Sequence, residues 1–374
     1  VKTTLFLVLA LCSCTALFAE SSAEEIFSHG EQRLAEKNWK SAAKEFASAA
    51  EAKKNYWEAY CKWGIALYNQ GHIFEAVTKF KEAVAMNPRY TEAWYNLGMG
   101  FENINNEIKI KDDDKAKKKI AKTQVIDAVA AYRQALAITP MNDERSVADS
   151  HYRLGVLLRD MELAKKGGTA TPNMKEPMTE LEAAVSMFPD FPEARNELGR
   201  VYDIIGRYAE AIDQYSKAIQ GHAYFAQAYS NRGVAWWHDG NWDNALADCR
   251  QAVEIDPRFA GGHYNFGEVV FARVQEIKSD KKSSLVHPEV QKAIDEYTLA
   301  TRIDPTFMAA WAGLGKAYRA YHDFENAQKT YEHILQLDKR DKEAKQALKD
   351  MKLEQKELLK HIPKEYQSEG LLKK

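Results

Sequence analysis

Residues 57–90 read "WEAYCKWGIALYNQGHIFEAVTKFKEAVAMNPRY". Tyr60, Trp63/Gly64 and Leu67 recur every three or four residues, the spacing of one apolar helix face. Twelve residues beyond Gly64 comes Ala76, then Phe80, Ala83 and finally Pro88. The reading is two helices joined by a tight turn. Gly64 and Ala76 allow a close approach, the aromatic residues fill the gap to the next pair, and Pro88 stops the second helix.

The same order recurs outward from this stretch. Gly30, Ala42, Phe46 and Ala49 lie 34 residues earlier. Further on come Gly199, Ala211, Tyr215 and Ala218, then Gly233, Ala245, Cys249, Ala252 and Pro257, again offset by 34. A last set has Gly315, Ala327 and Tyr331, with Ile334 replacing the second alanine. No strand-like alternation interrupts the pattern. A 34-residue unit of this kind resembles the tetratricopeptide repeat. The resemblance implies an all-α, right-handed superhelical solenoid of about eight helix–turn–helix repeats: 23–56, 57–90, 91–142, 148–191, 192–225, 226–259, 260–307 and 308–341. The fourth is the weakest, because Pro177 stands where alanine is expected. A helix over 342–362, with Ala344, Ala347/Leu348, Met351 and Leu358 on one stripe, would cap the last exposed face, leaving 363–374 as a tail.

Three repeats are too long. Relative to the regular spacing, the third carries 18 extra residues, the fourth 10 and the seventh 14, each between first and second helix. We read extended helices in the seventh, a mixture of helix and loop in the third, and mostly loop in the fourth, where "KKGGTATPNMKEP" breaks helix. Residues 109–122 hold seven Lys against three Asp, so this edge is basic. Solvated lysines account for it as well as an anionic partner does.

The 374 residues are 45% apolar and 28% charged, a balance that suits a folded chain with ample core. A formal net charge of −2 argues against nucleic acid as a partner. Residues 1–19 read as a bacterial export signal, with an apolar run from Leu5 to Ala19 that is short for a bilayer and ends in small residues. Cleavage after Ala19 or Ala23 would release a periplasmic protein. Alternatively "LCSC" resembles a lipoprotein box with Cys14 as the lipidated residue, and the protein would be membrane-attached through that lipid. A retained anchor is a third outcome.

No P-loop, dinucleotide fingerprint, HExxH or GxSxG motif occurs, so no catalytic residue, metal or cofactor is expected. Cys61 and Cys249 have no Cys or His neighbour in a ligand spacing and are expected as free thiols. His238, within "WWHDGNW", reads as structural.

What the resemblance implies instead is binding of a protein or extended peptide in a concave groove lined by first helices. The positions two before each repeat glycine are Lys62, Asn96, Arg153, Glu197, Asn231, Asn265 and Gly313. Asn96, Asn231 and Asn265 suit a peptide backbone, because an amide both donates and accepts. Arg153 and Glu197 break that ladder. Phe27, Tyr95, Tyr152, Trp237, Tyr264 and Phe271 would supply aromatic contacts, although asparagine and aromatic residues also occupy such positions for packing alone. The expected function is a non-catalytic scaffold or adaptor in the bacterial cell envelope. The alternative is an accessory or regulatory subunit of an envelope enzyme or transporter. The lipoprotein reading has a direct check. Palmitate labelling in cells should mark the protein and disappear in Cys14→Ala; labelling that survives the substitution removes it.

Overall fold

The computed structural model describes residues 22–111, 115–138, 144–165, 172–279 and 286–361. These residues form seventeen helices and no strand. The chain divides into two compact units, Val1–Pro189 and Asp190–Lys374. The first holds α1 (22–35), α2 (Trp39–Ala52), α3 (Trp57–Asn69), α4 (Ile73–Met86), α5 (Thr91–Lys111), α6 (Lys115–Ala137), α7 (Glu144–Leu163) and α8 (Lys175–Met187). The second holds α9 (Pro192–Ile204), α10 (Tyr208–Gly221), α11 (Ala226–His238), α12 (Trp242–Ile255), α13 (Ala260–Ser279), α14 (Val286–Ile303), α15 (Met308–Ala320), α16 (Phe324–Leu337) and α17 (Lys342–His361).

Within each unit the helices pair in chain order, and each second helix packs on the first helix that follows it. First helices also touch one another, α3 with α5 and α5 with α7, then α9, α11, α13 and α15 in succession. A wall made of first helices is the result.

The pairing contact is a ring laid on a glycine. A Cβ added at Gly64 would lie 2.5 Å from Phe80 Cε1, and one at Gly98 would lie 2.6 Å from Tyr132. Gly199 and Tyr215 repeat this contact, as do Gly267 and Tyr297. Where the sequence lacks the aromatic, Leu181 lies against Gly155 and Cys249 against Gly233. Phe80, Tyr132, Tyr215 and Tyr297 are all essentially fully buried.

Seven residues past the repeat glycine the turn enters the left-handed region. Gly71, Gly206 and Gly240 sit there with φ of 82°, 77° and 83°, while Lys37 and His322 hold the same place at 57° and 63°. Asn38, Asn241 and Asp323 then cap the following helices by accepting from the amides of Ser41, Asn244 and Asn326.

Three details differ from the sequence reading or sharpen it. In the third repeat α5 continues to Lys111 and α6 begins at Lys115, so the long segment is helical in its described residues, 112–114 lying outside them. Residues 101–137 contain no Gly or Pro, so nothing breaks the helices locally. Three aspartates directly precede α6 in the sequence, the charge a helix N-terminus favours. The fourth pair begins earlier than 148, because α7 starts at Glu144 and buries Val147. Pro177 is accommodated in the first turn of α8, where a missing N–H costs no helical bond. The seventh pair is extended as expected, with α13 of 20 residues and α14 of 18. Leucine, methionine and alanine side chains of α17 cover the last pair, Ala344 and Met351 fully buried. The residues before 22, including Cys14, and the whole tail 363–374 lie outside the described residues.

Gly64→Val tests the ring contact. It should destabilise unfolding equilibria by about 1–3 kcal/mol through overpacking. Combined with Phe80→Leu, the total loss should fall below the sum of the two single losses in a denaturant cycle. Strict additivity would show that the ring and the glycine do not meet.

Candidate functional site: the first-helix wall

In the unit Val1–Pro189 the wall is polar and internally paired. Arg153 on α7 donates through Nε to Asp149 Oδ2 at 2.6 Å and reaches Glu102 Oε2 on α5 at 3.5 Å. Tyr95 donates to the same Asp149 oxygen at 2.5 Å, and Tyr132 of α6 donates to Glu102. Asn103 donates to the Tyr68 hydroxyl of α3. Burial pushes the Glu102 carboxyl up, with the Tyr132 hydroxyl and Arg153 pulling it back. Burial, then the Asp149 carboxylate, hold the Tyr95 hydroxyl well above its ordinary range. Arg153 and Tyr95 are therefore anchored in one network spanning α5, α6 and α7, while Tyr152 is half-buried beside them.

Asn96 does not face a ligand. It is 6% exposed, and its Nδ2 donates to the Glu92 carbonyl one turn back at 2.7 Å. Its inward placement follows from Cys61, whose fully buried thiol lies against Tyr90 and Asn96. Phe27 likewise joins the core, its ring 5.3 Å from Phe46 and 5.1 Å from Tyr56. Lys62 is paired with Glu92 at 2.7 Å, and Tyr90 donates to the other oxygen of that carboxylate at 2.6 Å.

In the unit Asp190–Lys374 the wall is amide and aromatic. Asn231 Nδ2 donates to Asn196 Oδ1 at 3.0 Å, and Asn265 Nδ2 donates to Ser230 Oγ at 2.9 Å. Each bond links one first helix to the one before it across 35 residues. Both amides stay half-buried, and each bond engages only one of the two amide hydrogens. Their acceptors are hidden: Asn196 is 4% exposed and Ser230 fully buried. Trp237, Tyr264 and Phe271 are partly buried against the same core around Phe266, Val269 and Tyr297. Tyr264 lies 5.1 Å from Phe307, and burial followed by Glu268 pushes its hydroxyl up to about 12. His238 is held by Asp203 at 3.1 Å, the structural role expected of it. Glu197 is closed off by Arg200 at 3.0 Å. Gly313 is a packing glycine, since a Cβ there would sit 2.5 Å from the Tyr297 ring.

Sequence reasoning missed Asn196 and Ser230. Their signal was present: both stand three residues before a repeat glycine, 34 apart, as small polar residues on an otherwise apolar helix face.

Profiles described as tetratricopeptide repeat match residues 57–90, 179–224 and 226–259. A solved tetratricopeptide repeat protein from Parabacteroides merdae shares the fold over 79% of this chain and 99% of its own, with 14% identity and a TM-score of 0.51. Three segments of the chain are thus matched as tetratricopeptide repeats, and the described helices have the fold of a tetratricopeptide solenoid. YrrB, described as a TPR protein with an unusual peptide-binding site, is similar over 59% of this chain and 96% of its own, at 21% identity and a TM-score of 0.45. MamA is similar over 54% and 92%, at 21% identity and 0.41. No curated protein matches the sequence significantly. Among the described residues no cluster of three or more His, Cys, Asp or Glu could hold a metal, and no helix is long and apolar enough to cross a membrane. Cys61 and Cys249 are buried free thiols.

In this tetratricopeptide wall the half-buried amides are staples as well as surface. Asn231→Ala leaves the buried Asn196 oxygen without its donor, so it should lower stability by about 1–3 kcal/mol. Asn196→Ala/Asn231→Ala together should cost less than the two singles added. Equilibrium denaturation of the four proteins measures the coupling, and a value of zero would mean the bond contributes nothing.

Proposed function

We propose that the protein is a non-catalytic adaptor that takes an extended segment of a partner protein along the first-helix wall of α11 and α13. The observation that carries this reading is the convergence of Trp237, Tyr264 and Phe271 on one partly buried apolar cluster, flanked by Asn231 and Asn265. Such a surface offers rigid aromatic area with little side-chain entropy to lose, and amide groups spaced for a main chain. The peptide-binding description of YrrB is in line with it. The wall of α5 and α7 is a poorer receptor, because its charges already satisfy one another. The apolar run Leu5–Ala19 supports an exported protein working in the bacterial cell envelope.

Photo-crosslinking tests the placement. A benzophenone amino acid at Phe271 should give a discrete adduct with one partner in cells, whereas the same probe at Tyr224, the most exposed large apolar side chain among the described residues, should not. With that partner in hand, Trp237→Ala and Tyr264→Ala should each weaken binding by roughly tenfold or more, as truncated aromatic anchors do. Equal adducts from both positions, or unchanged affinity, would rule out this wall.

A further inference from the structure

Four residues before the repeat glycine, the third, seventh and eighth pairs carry Trp94, His263 and Trp311. Each is six residues past a proline that closes the preceding pair. Trp94 Nε1 donates to the Pro88 carbonyl at 2.9 Å, and Trp311 Nε1 to the Pro305 carbonyl at 2.9 Å. His263 Nε2 stands in the same relation to the Pro257 carbonyl at 3.1 Å. A carbonyl oxygen only accepts, so Nε2 has to carry hydrogen. The second ring nitrogen, Nδ1, lies 2.7 Å from Glu296 Oε2 on α14. A carboxylate also only accepts. A neutral imidazole supplies one donor, and this site presents two acceptors.

We propose that His263 is a proton-controlled latch of the seventh repeat: as imidazolium it ties the turn at Pro257, α13 and α14 together, and on losing its proton it releases Glu296. The site is enclosed, with the His263 side chain 7% exposed and that of its partner Glu296 14%. The charges that bear on the ring are anionic, Glu296 from α14 and Asp256 from the end of α12. On α11, Arg232 is committed to Asp248 of α12 by two bonds. On α14, Lys292 lies over the Phe266 ring at 4.6 Å. On α15, Arg319 is held by Glu354, and Lys316 is exposed. On α13 itself, Glu268 accepts from Tyr297. Burial works against the charged ring, but Glu296, the Pro257 carbonyl and Asp256 outweigh it, and its pKa is raised.

A group whose folded pKa is raised stabilises fully below its unfolded value, about 6.5 for histidine, and that contribution is lost as pH rises through the folded value. The latch is closed in acid and opens towards alkaline pH. Tyr264 and Asn265 follow His263 directly, so the same proton would set the placement of the proposed groove; that consequence rests on the wall reading, whereas the latch does not.

Ring ¹⁵N spectra of the full chain between pH 5 and 9 decide it, with the His263 signal assigned by its absence in His263→Trp. Both nitrogens should be protonated at pH 6, with a midpoint above the ordinary histidine value of about 6.5, and Glu296→Gln should lower it. His263→Trp/Glu296→Ala copies the third pair, where Trp94 is matched by Ala131 at the position of Glu296. That variant should lose less melting temperature than wild type between pH 6 and pH 8. A ring that is neutral at pH 6, or a midpoint that ignores Glu296→Gln, overturns the proposal. These spectra decide the matter even if the double variant does not fold, and none of them depends on a bound partner.

Discussion

Most helix pairs described in this chain rest on an aromatic ring packed against a glycine of the facing helix. The contact works because two opposite deficiencies meet. Glycine weakens a helix interior by about 1 kcal/mol relative to alanine, and a phenylalanine or tyrosine needs a broad, flat surface to be buried completely. Set against each other, as in Gly64 with Phe80 or Gly267 with Tyr297, the missing Cβ becomes the space the ring fills. Two helices held that closely leave the outer edges of the aromatic residues for the next pair. One contact thus fixes both the geometry within a pair and the way pairs stack, which is why a repeat of 34 residues is enough to specify each unit.

The wall inherits its chemistry from what stacking leaves over. Residues three before the repeat glycine reach toward the next first helix, and residues two before it reach back toward the previous one. In α9, α11 and α13 these become Asn196 with Asn231 and Ser230 with Asn265. In α5 and α7 the corresponding places hold Tyr95 and Arg153, which meet on Asp149. A charged guanidinium held half-buried between two carboxylates gains little against its desolvation, but it fixes side-chain positions. The second unit instead spends neutral amides on the same task. Neutral amides keep hydrogen-bonding capacity at the surface, whereas the charged network has little left to offer.

This division explains how far the sequence could be read. The eight pairs and α17 were legible because their signal is covalent spacing: Gly30, Gly64, Gly199 and Gly233 recur whatever the surroundings. Helix length in the third repeat was less legible, because 101–137 is lysine-rich rather than apolar and periodicity is a weak guide there. The direction of individual wall residues was legible only in part. Asn96, Asn231 and Asn265 share one position in the repeat, yet Asn96 turns inward because Cys61 and Tyr90 pack beneath it, while the other two reach across to Asn196 and Ser230. A single-residue pattern cannot carry that difference, since it depends on the residue one position earlier in the preceding repeat. Reading the repeat glycine's neighbours as cross-repeat pairs would have recovered it.

The junctions between pairs obey a constraint of the same kind. A proline that ends a second helix brings a backbone carbonyl to the base of the next first helix, and burial there requires a donor. At Pro88 and Pro305 the donor is an indole N–H, which is large, apolar and permanently neutral. At Pro257 it is an imidazole, a ring short enough to leave room for a second partner from α14. Filling that room with Glu296 converts a neutral packing joint into a charged one, and a charged joint in an enclosed site exists in one protonation state only. The seventh pair is also the one that carries Tyr264, Asn265 and Phe271. The repeat has thus been altered at a structural position, one residue away from the wall, without changing the carbonyl it must satisfy.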